Sequence, residues 1–302
     1  MSKIKTKKSN LKNTKIISKE AINQGENLST LYLVPTPIGN MLDMTFRAVQ
    51  VLKEVDIIFS EDTRTSGILL NHFEIKTPQR SYHKFNEKER CGEIIRMLKE
   101  GKNIAIISDA GTPGISDPSN IIVKEAIKNN IKVCPLPGAT ALIPALIASS
   151  FETERFFMVG FLPIKKKERD QILNTLKTLK NPIIFYESPH RLYKTLIKIK
   201  NIFFEADICI AREISKIYET FYRGKLSEII NNFDKIVLKG EFVIVLMPSE
   251  VNINPQNNSI EEKIFDIYRT KYSEEKLSIA SKMIAEELNI PKKQVYDILS
   301  RK

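Results

Sequence analysis

The residues best suited to chemistry lie in short loops that follow predicted strands. The clearest is SDAGTPGISDP at 108–118, which follows the apolar run NIAIIS and precedes a helical pattern. Gly111 and Gly114 allow the backbone to approach a ligand closely, and Asp109 can accept hydrogen bonds from ligand amines or hydroxyls. Because such loops face the ligand crevice of an open α/β sheet, we predict a binding loop. A structural turn capped by the aspartate is the alternative.

Two other loops occupy the same position after a strand. PTPIGN at 35–40 follows the first strand, and PGATAL at 137–142 joins a strand to a helix. The small residues of PGATAL leave room for a flat group such as a purine, although tight packing of helix against strand explains them almost as well. The chain lacks G-x-G-x-x-G and G-x-x-x-x-G-K-[ST] at these loops, so the usual dinucleotide and nucleotide-phosphate interpretations fail.

Charged residues follow three further strands. In FSEDTR, the carboxylates of Glu61 and Asp62 with Arg64 are candidates for acid–base chemistry or hydroxyl binding. The alternative for Asp62 is a helix N-cap. The motifs FYESPHR and AREISK should place five charged residues around one crevice: Glu187, Arg191, Arg212, Glu213 and Lys216.

Metal and serine-nucleophile chemistry are poorly supported. The three histidines and three cysteines show no metal-ligand spacing, and no G-x-S-x-G elbow is present. We therefore expect no metal. Because the cysteines are odd in number and far apart, they favour a reducing compartment, the cytoplasm, over a disulfide framework.

The surrounding pattern predicts the elements that position these loops. Strands at 31–34, 56–60, 103–108 and 131–136 alternate with helical patterns up to residue 150, which predicts a doubly wound α/β domain over 31–150. A second series over 151–250 predicts another α/β domain. Residues 1–30 form a predicted disordered basic arm. The last segment, 251–302, is predicted to be a linker (251–260) followed by a helical tail.

The tail has two interpretations. Helical patterns at 264–268, 276–288 and 292–299 are separated by short breaks, with Asn289-Ile290-Pro291 as the last turn. The final pair has the spacing of a helix-turn-helix, and a plain helical hairpin fits equally well.

Composition and charge narrow the class of protein. The 302 residues are 42% hydrophobic and 27% charged, an ordinary globular mix, and no apolar run is long enough to span a membrane. The net charge of +11, from 47 Lys+Arg against 36 Asp+Glu, suggests a polyanionic partner without requiring one. Lys165, Lys166 and Lys167 are candidates for phosphate contacts, although such a run is more often a solvated helix start.

Seven segments together resemble one family. LYLVPTPIGN, FSEDTR, SDAGTPGISDP, PLPGATAL, FYESPHR, AREISKIYE and KGEFVIV, in this order between residues 31 and 248, resemble the ribosomal RNA small subunit methyltransferase I family. The resemblance implies two α/β domains of the tetrapyrrole methylase type with a small C-terminal helical region. It also implies a homodimer that uses S-adenosylmethionine to methylate the ribose 2′-OH of cytidine 1402 in 16S rRNA of the small ribosomal subunit. The chain differs from the family at Ser119-Asn120, where glycine is common in the family. This difference affects only the local shape of the loop.

The resemblance also implies roles for particular residues. Cofactor contacts are expected from Pro35, Pro37, Asp109, Ala110, Gly111, Thr112, Thr140, Ala141, Glu187, Ala211 and Gly240. Candidates for a base, or for a cation that stabilises the alkoxide, are Glu61, Asp62, Arg64, His83, Arg191, Glu213 and Lys216. Our hypothesis is that Glu61, Asp62 and Arg64 orient the ribose. Two alternatives stay open: a methylase of a porphyrin-like small molecule on the same fold, and a non-enzymatic RNA-binding assembly factor.

Overall fold

A parallel five-stranded sheet forms the first half of the chain. The structure, a computed structural model, describes residues 29–249 and 260–300, so almost all of the predicted arm and linker lie outside the described residues. The strands are β1 (Thr30–Val34), β2 (Ile57–Ser60), β3 (Gln79–Ser81), β4 (Ile104–Ile107) and β5 (Lys132–Pro135). Their order is β3-β2-β4-β1-β5, and every neighbouring pair is parallel.

Helices cover both faces of this sheet. They are α1 (Phe46–Glu54), α2 (Thr63–His72), α3 (Glu87–Lys99), α4 (Asn120–Lys128) and α5 (Leu142–Ala148). Strands β2 and β4 are buried along their whole length, as expected for strands covered on both faces. Phe59 belongs to one apolar core cluster with Ile94 of α3, whereas its neighbour Ile58 belongs to another with Leu52 of α1.

A mixed sheet forms the second half. Its elements are β6 (Phe157–Phe161), α6 (Lys166–Leu176), β7 (Ile183–Glu187), α7 (Pro189–Phe203), β8 (Ala206–Arg212), β9 (Thr220–Lys225), α8 (Leu226–Asn231) and β10 (Phe242–Pro248). The order is β6-β7-β10-β8-β9. Only β6 and β7 pair in parallel; β10 runs antiparallel to both β7 and β8. The carboxyl ends of β7 and β8 and the start of β10 therefore share one edge.

Several boundaries differ from the sequence prediction. Helix α5 begins at Leu142 rather than 138, because residues 138–141 form a loop. The edge strands β3 and β9 were not predicted: β3 has only three residues, all polar, and β9 carries Gly224 near its end.

The C-terminal helices form a unit of their own. They are α9 (Ile260–Lys271), α10 (Leu277–Leu288) and α11 (Lys292–Ser300), and their core includes Ile264, Ile284 and Val295. Asn289, in the left-handed region at φ 52°, ends α10. Among the described residues, no helix is long and apolar enough to cross a membrane. The chain is thus an α/β protein with two sheets and C-terminal helices.

Candidate active site

A cavity of about 440 Å³ lies where loops from both sheets meet. Nine of the residues singled out from the sequence line it: Glu61, Asp109, Ala110, Gly111, Thr112, Thr140, Ala141, Glu187 and Gly240. The lining does not include the following predicted residues: Pro35, Pro37, Asp62, Arg64, Arg191, Ala211 and Glu213. The cavity has the size of an ordinary small-molecule site.

Backbone hydrogen bonds join the loops of the first sheet. Thr36 and Gly111 exchange two bonds of 2.9 Å each, and Gly111 has φ +82°, where a side chain would be strained. The Thr112 hydroxyl donates to the Ala139 carbonyl at 2.9 Å. Pro35 packs closely against Gly138, since a Cβ on Gly138 would come within 2.6 Å of the Pro35 Cβ. These contacts connect the three loops of the first sheet to one another.

Three carboxylates share the first-sheet side of the cavity. Burial raises the pKa values of Glu61, Asp109 and Asp117 above their usual range, and repulsion by a neighbouring carboxylate adds to the rise in each case. The pKa of Asp117 reaches about 6, even though the Ser108 hydroxyl lowers it. None of the three has an ion-pair partner within the described parts of the chain. This group of uncompensated acids favours a cationic ligand.

Asp62 combines a capping role with a position at the edge of the cavity. Its Oδ1 accepts the Arg64 amide at 2.8 Å at the start of α2, as the N-cap alternative predicts. Its own amide donates to Asp109 Oδ1 at 3.0 Å. Hydrogen bonds from the Arg64 side chain and amide lower the pKa of Asp62 to about 2, so it is a poor proton acceptor at neutral pH. Arg64 itself is 90% exposed.

On the second-sheet side, the Glu187 carboxylate is fully engaged. One oxygen accepts the Ser188 amide at 2.8 Å and lies 3.3 Å from Arg191 Nε, and the other accepts the Thr195 hydroxyl at 2.6 Å. Arg191 also donates to the Leu162 carbonyl at 2.7 Å. Both side chains therefore fix the wall of the cavity.

The remaining predicted charges form a second paired group. Lys216 Nζ lies 2.8 Å from Glu213 and 2.9 Å from Glu241, and its aliphatic stem occupies the space where Gly39 has no side chain. The buried Arg212 instead donates to the carbonyls of Lys239 and Tyr218, so its guanidinium is not brought to the cavity. Ala211 has no exposed surface and belongs to an apolar core.

The cavity also has lining residues that sequence reasoning missed. They are Ile38, Ile115, Ser116, Asp117, Phe161, Tyr186, Pro189, Ile214, Phe242 and Val243. Ser188 and Glu241 also line the cavity, and sequence reasoning identified them only as members of the motifs FYESPHR and KGEFVIV. Most are apolar residues in or beside strands, which the sequence cannot separate from core positions. Asp117 was detectable, because it is the second aspartate of the glycine-rich loop.

The comparisons with known proteins agree with this arrangement. The family described as Tetrapyrrole (Corrin/Porphyrin) Methylases matches residues 30–230. A Synechocystis protein named ribosomal RNA small subunit methyltransferase I is 45% identical over 273 residues, which cover 90% of this chain and 97% of that protein. The chain belongs to the ribosomal RNA small subunit methyltransferase I family.

Solved structures of other proteins show the same fold as this family member. A diphthine synthase superposes with a TM-score of 0.60 at 12% identity, over 72% of this chain and 90% of the other. The uroporphyrin-III C-methyltransferase of Thermus thermophilus complexed with S-adenyl homocysteine gives a TM-score of 0.50 at 16% identity, over 72% and 97%. At these identities the likeness concerns the fold alone.

Proposed function

We propose that this protein methylates the ribose 2′-oxygen of cytidine 1402 in 16S rRNA of the small ribosomal subunit, with S-adenosylmethionine as the methyl donor. The observation that carries the proposal is the 45% identity to a named small-subunit rRNA methyltransferase over nearly the whole of both chains. The alternative of a porphyrin-like acceptor rests on the broader tetrapyrrole methylase match over residues 30–230 and on fold similarity to a uroporphyrin-III C-methyltransferase at 16% identity.

The cavity fits the proposed cofactor in size and charge. The backbone of 109–112 offers polar groups at a close approach, and Thr140 and Ala141 leave space for the flat adenosine. The three uncompensated acids complement a sulfonium. Glu187 and Gly240 line the opposite wall, whereas Pro35, Pro37 and Ala211 are not part of the lining. S-adenosylmethionine supplies an activated methyl group, so the protein mainly has to align donor and acceptor.

For the acceptor, we assign proton removal to Glu61 and orientation of the ribose to Asp62 and Arg64. Glu61 lines the cavity and has a raised pKa, in contrast to the neighbouring Asp62. Arg191 and Glu213 serve as positioning residues, because their charges are paired with Glu187 and Lys216.

The decisive experiment supplies the purified protein with methyl-labelled S-adenosylmethionine and small subunits from a strain that lacks the homologous enzyme. Nucleoside digestion of the rRNA should yield labelled 2′-O-methylcytidine or its doubly methylated form. Absence of label, with cofactor binding intact, would refute the proposal in favour of another acceptor. Absence of cofactor binding would favour the assembly factor.

The same assay tests the assignment of the ribose-orienting residues. Asp62→Ala combined with Arg64→Ala should slow turnover at unchanged RNA affinity, because the acceptor is no longer aligned. Wild-type turnover in this variant would remove both residues from the mechanism.

We also propose a homodimer acting in the cytoplasm. Leu42, Phe46, Ile217 and Tyr218 are between 69% and 97% exposed, and a hydrogen bond between Asp43 and Ser215 brings their two segments together. An apolar surface of this kind is typical of a protein interface. Sedimentation should give twice the chain mass for the wild type and a monomer for Phe46→Glu; a wild-type monomer at micromolar concentration would contradict the dimer.

A further inference from the structure

A second depression in the surface lies between α6 and α7, outside the cavity described above. We name it the basic pocket. It has a volume of about 500 Å³, and its lining includes the cationic side chains Arg169, Arg191, Lys194 and Lys198 and no carboxylate. Arg191 is paired with Glu187 of the cavity wall, and the proposed methyl-transfer site does not account for the other three cations.

The two arginines are held in place by the loop that follows β6. Arg169 Nη1 donates to the Ile164 carbonyl at 3.2 Å, and Arg191 Nη2 donates to the Leu162 carbonyl at 2.7 Å. Each guanidinium has five N–H donors, so both keep donors for a ligand. Arg169 Nε is buried, lies 3.7 Å from Asp170 Oδ1, and has no hydrogen-bond partner among the described residues. The arginines are therefore pre-oriented donors.

The two lysines add charge that the protein does not neutralise. Lys194 and Lys198 are four residues apart and so share one face of α7. Within residues 29–249 and 260–300, neither has a carboxylate at ion-pair distance. Like charges at this spacing repel one another, and a bound anion would relieve that repulsion.

Apolar groups beside the cations indicate which anion fits. Tyr193, which packs against Phe233 at a ring-centroid distance of 4.7 Å, lines the pocket and is 47% exposed. Ile164 is 82% exposed in the same lining. Cations next to an exposed aromatic ring suit a nucleic acid strand, whose phosphates pair with the charges while a base stacks on the ring.

The basic pocket is connected to the cavity through one ion pair. Arg191 lines the pocket, Glu187 lines the cavity, and their side chains are 3.3 Å apart. We propose that the basic pocket binds the phosphodiester backbone of the substrate RNA close to the nucleotide that is methylated. This inference rests on the proposed rRNA methylation and adds to it the place where the strand is held.

The test replaces Lys194 and Lys198 together by alanine. The control is Lys124→Ala with Lys128→Ala, which removes two exposed lysines at the same spacing on α4. The affinity for small subunits is measured by filter binding across salt concentrations, together with KM, kcat and S-adenosylmethionine affinity. Lys194→Arg with Lys198→Arg tests whether positive charge alone restores binding.

We expect the pocket variant to bind subunits about tenfold more weakly and to raise KM equally, with kcat at saturation and cofactor affinity unchanged. A plot of log affinity against log salt concentration should be less steep for this variant, by about 1.5 in slope, since two phosphate contacts are lost. The α4 control should change affinity less than twofold, and the arginine variant should bind like the wild type. Equal affinity for the pocket variant and the control overturns the inference while wild-type methylation stands. A wild type that neither binds nor methylates subunits overturns the proposed function as well.

Discussion

The two walls of the cavity handle charge in opposite ways. On the first-sheet side, Glu61, Asp109 and Asp117 have raised pKa values and no ion-pair partner among the described residues, although His83 partly offsets the rise at Glu61. On the second-sheet side, the lining carboxylates Glu187 and Glu241 are each paired, with Arg191 and Lys216. Repelling carboxylates destabilise a fold, whereas paired ones hold it. This contrast supports the proposed binding of the ligand at the first wall and a structural role for the second.

The largest effect expected from this division is on stability. Glu187→Ala leaves Arg191 and the Thr195 hydroxyl without their buried acceptor, so the free energy of unfolding should fall by about 3 kcal/mol. Urea denaturation measures it. Glu241→Ala is the control on the same wall, because this carboxylate is 75% exposed and should change stability by less than about 0.5 kcal/mol. If the free energy of unfolding falls by less than about 1 kcal/mol in Glu187→Ala, the structural role of the second-sheet wall is contradicted.

The second effect concerns the affinity of the opposite wall. Asp109→Ala removes a cavity carboxylate and the acceptor of the Asp62 amide, so S-adenosylmethionine should bind about tenfold more weakly, or about 1.4 kcal/mol. Isothermal titration calorimetry measures it. Glu241→Gln, which alters a cavity carboxylate already paired with Lys216, should change affinity less than twofold. Equal losses in the two variants would show that the walls do not differ.

A smaller effect on stability should appear at Asp117 when no ligand is present. A raised folded-state pKa means that the folded protein binds this proton more tightly than the unfolded chain, so stability falls as pH rises from about 4 to above 6. Asp117→Asn avoids this loss and should be more stable than the wild type at pH 8 by about 1 kcal/mol, allowing for screening. Denaturation at pH 8 and pH 4 measures the difference, which should vanish at the lower pH. A variant less stable at pH 8 would contradict the assignment.

The smallest effect is the pH dependence of cofactor binding. A cationic ligand favours ionised carboxylates, so affinity should rise about fourfold from pH 5.5 to 7.5, as Asp117 ionises around pH 6. The Asp117→Asn profile should be flatter, because this variant has no carboxyl group at position 117 to ionise. A wild-type affinity that does not change with pH in this range would contradict the idea that the cavity carboxylates bind the positive charge of the cofactor.

The sequence predicted most of the first sheet because local signals and tertiary environment agree there. The apolar run at 104–107 is buried on both faces, and the loop after it lines the cavity as expected. Strand β3, with the sequence Gln-Arg-Ser, carries no apolar signal and exists only because β2 offers a free edge. Propensity cannot reveal a strand of that kind.

The sequence could not reveal which partners the charged residues of the site have. Arg212 and Arg191 both lie at or just after strand ends, yet the guanidinium of Arg212 donates its hydrogen bonds to two backbone carbonyls. Arg191 joins the cavity wall to the basic pocket. The direction of the Arg212 side chain depends on the chain path at residue 218, six positions away, and at residue 239, 27 positions away. Local patterns contain no information about such long-range partners.

Strand β10 has a consequence for the timing of synthesis. It is the last strand to leave the ribosome, yet it lies between β7 and β8 and brings Gly240, Glu241 and Phe242 to the cavity. Because domains generally fold as units with the N-terminal one first, the parallel sheet can form while the second sheet still lacks its middle strand. A nascent chain therefore has its acidic wall long before it has a complete site, and cofactor binding becomes possible only when residue 248 has emerged from the ribosome.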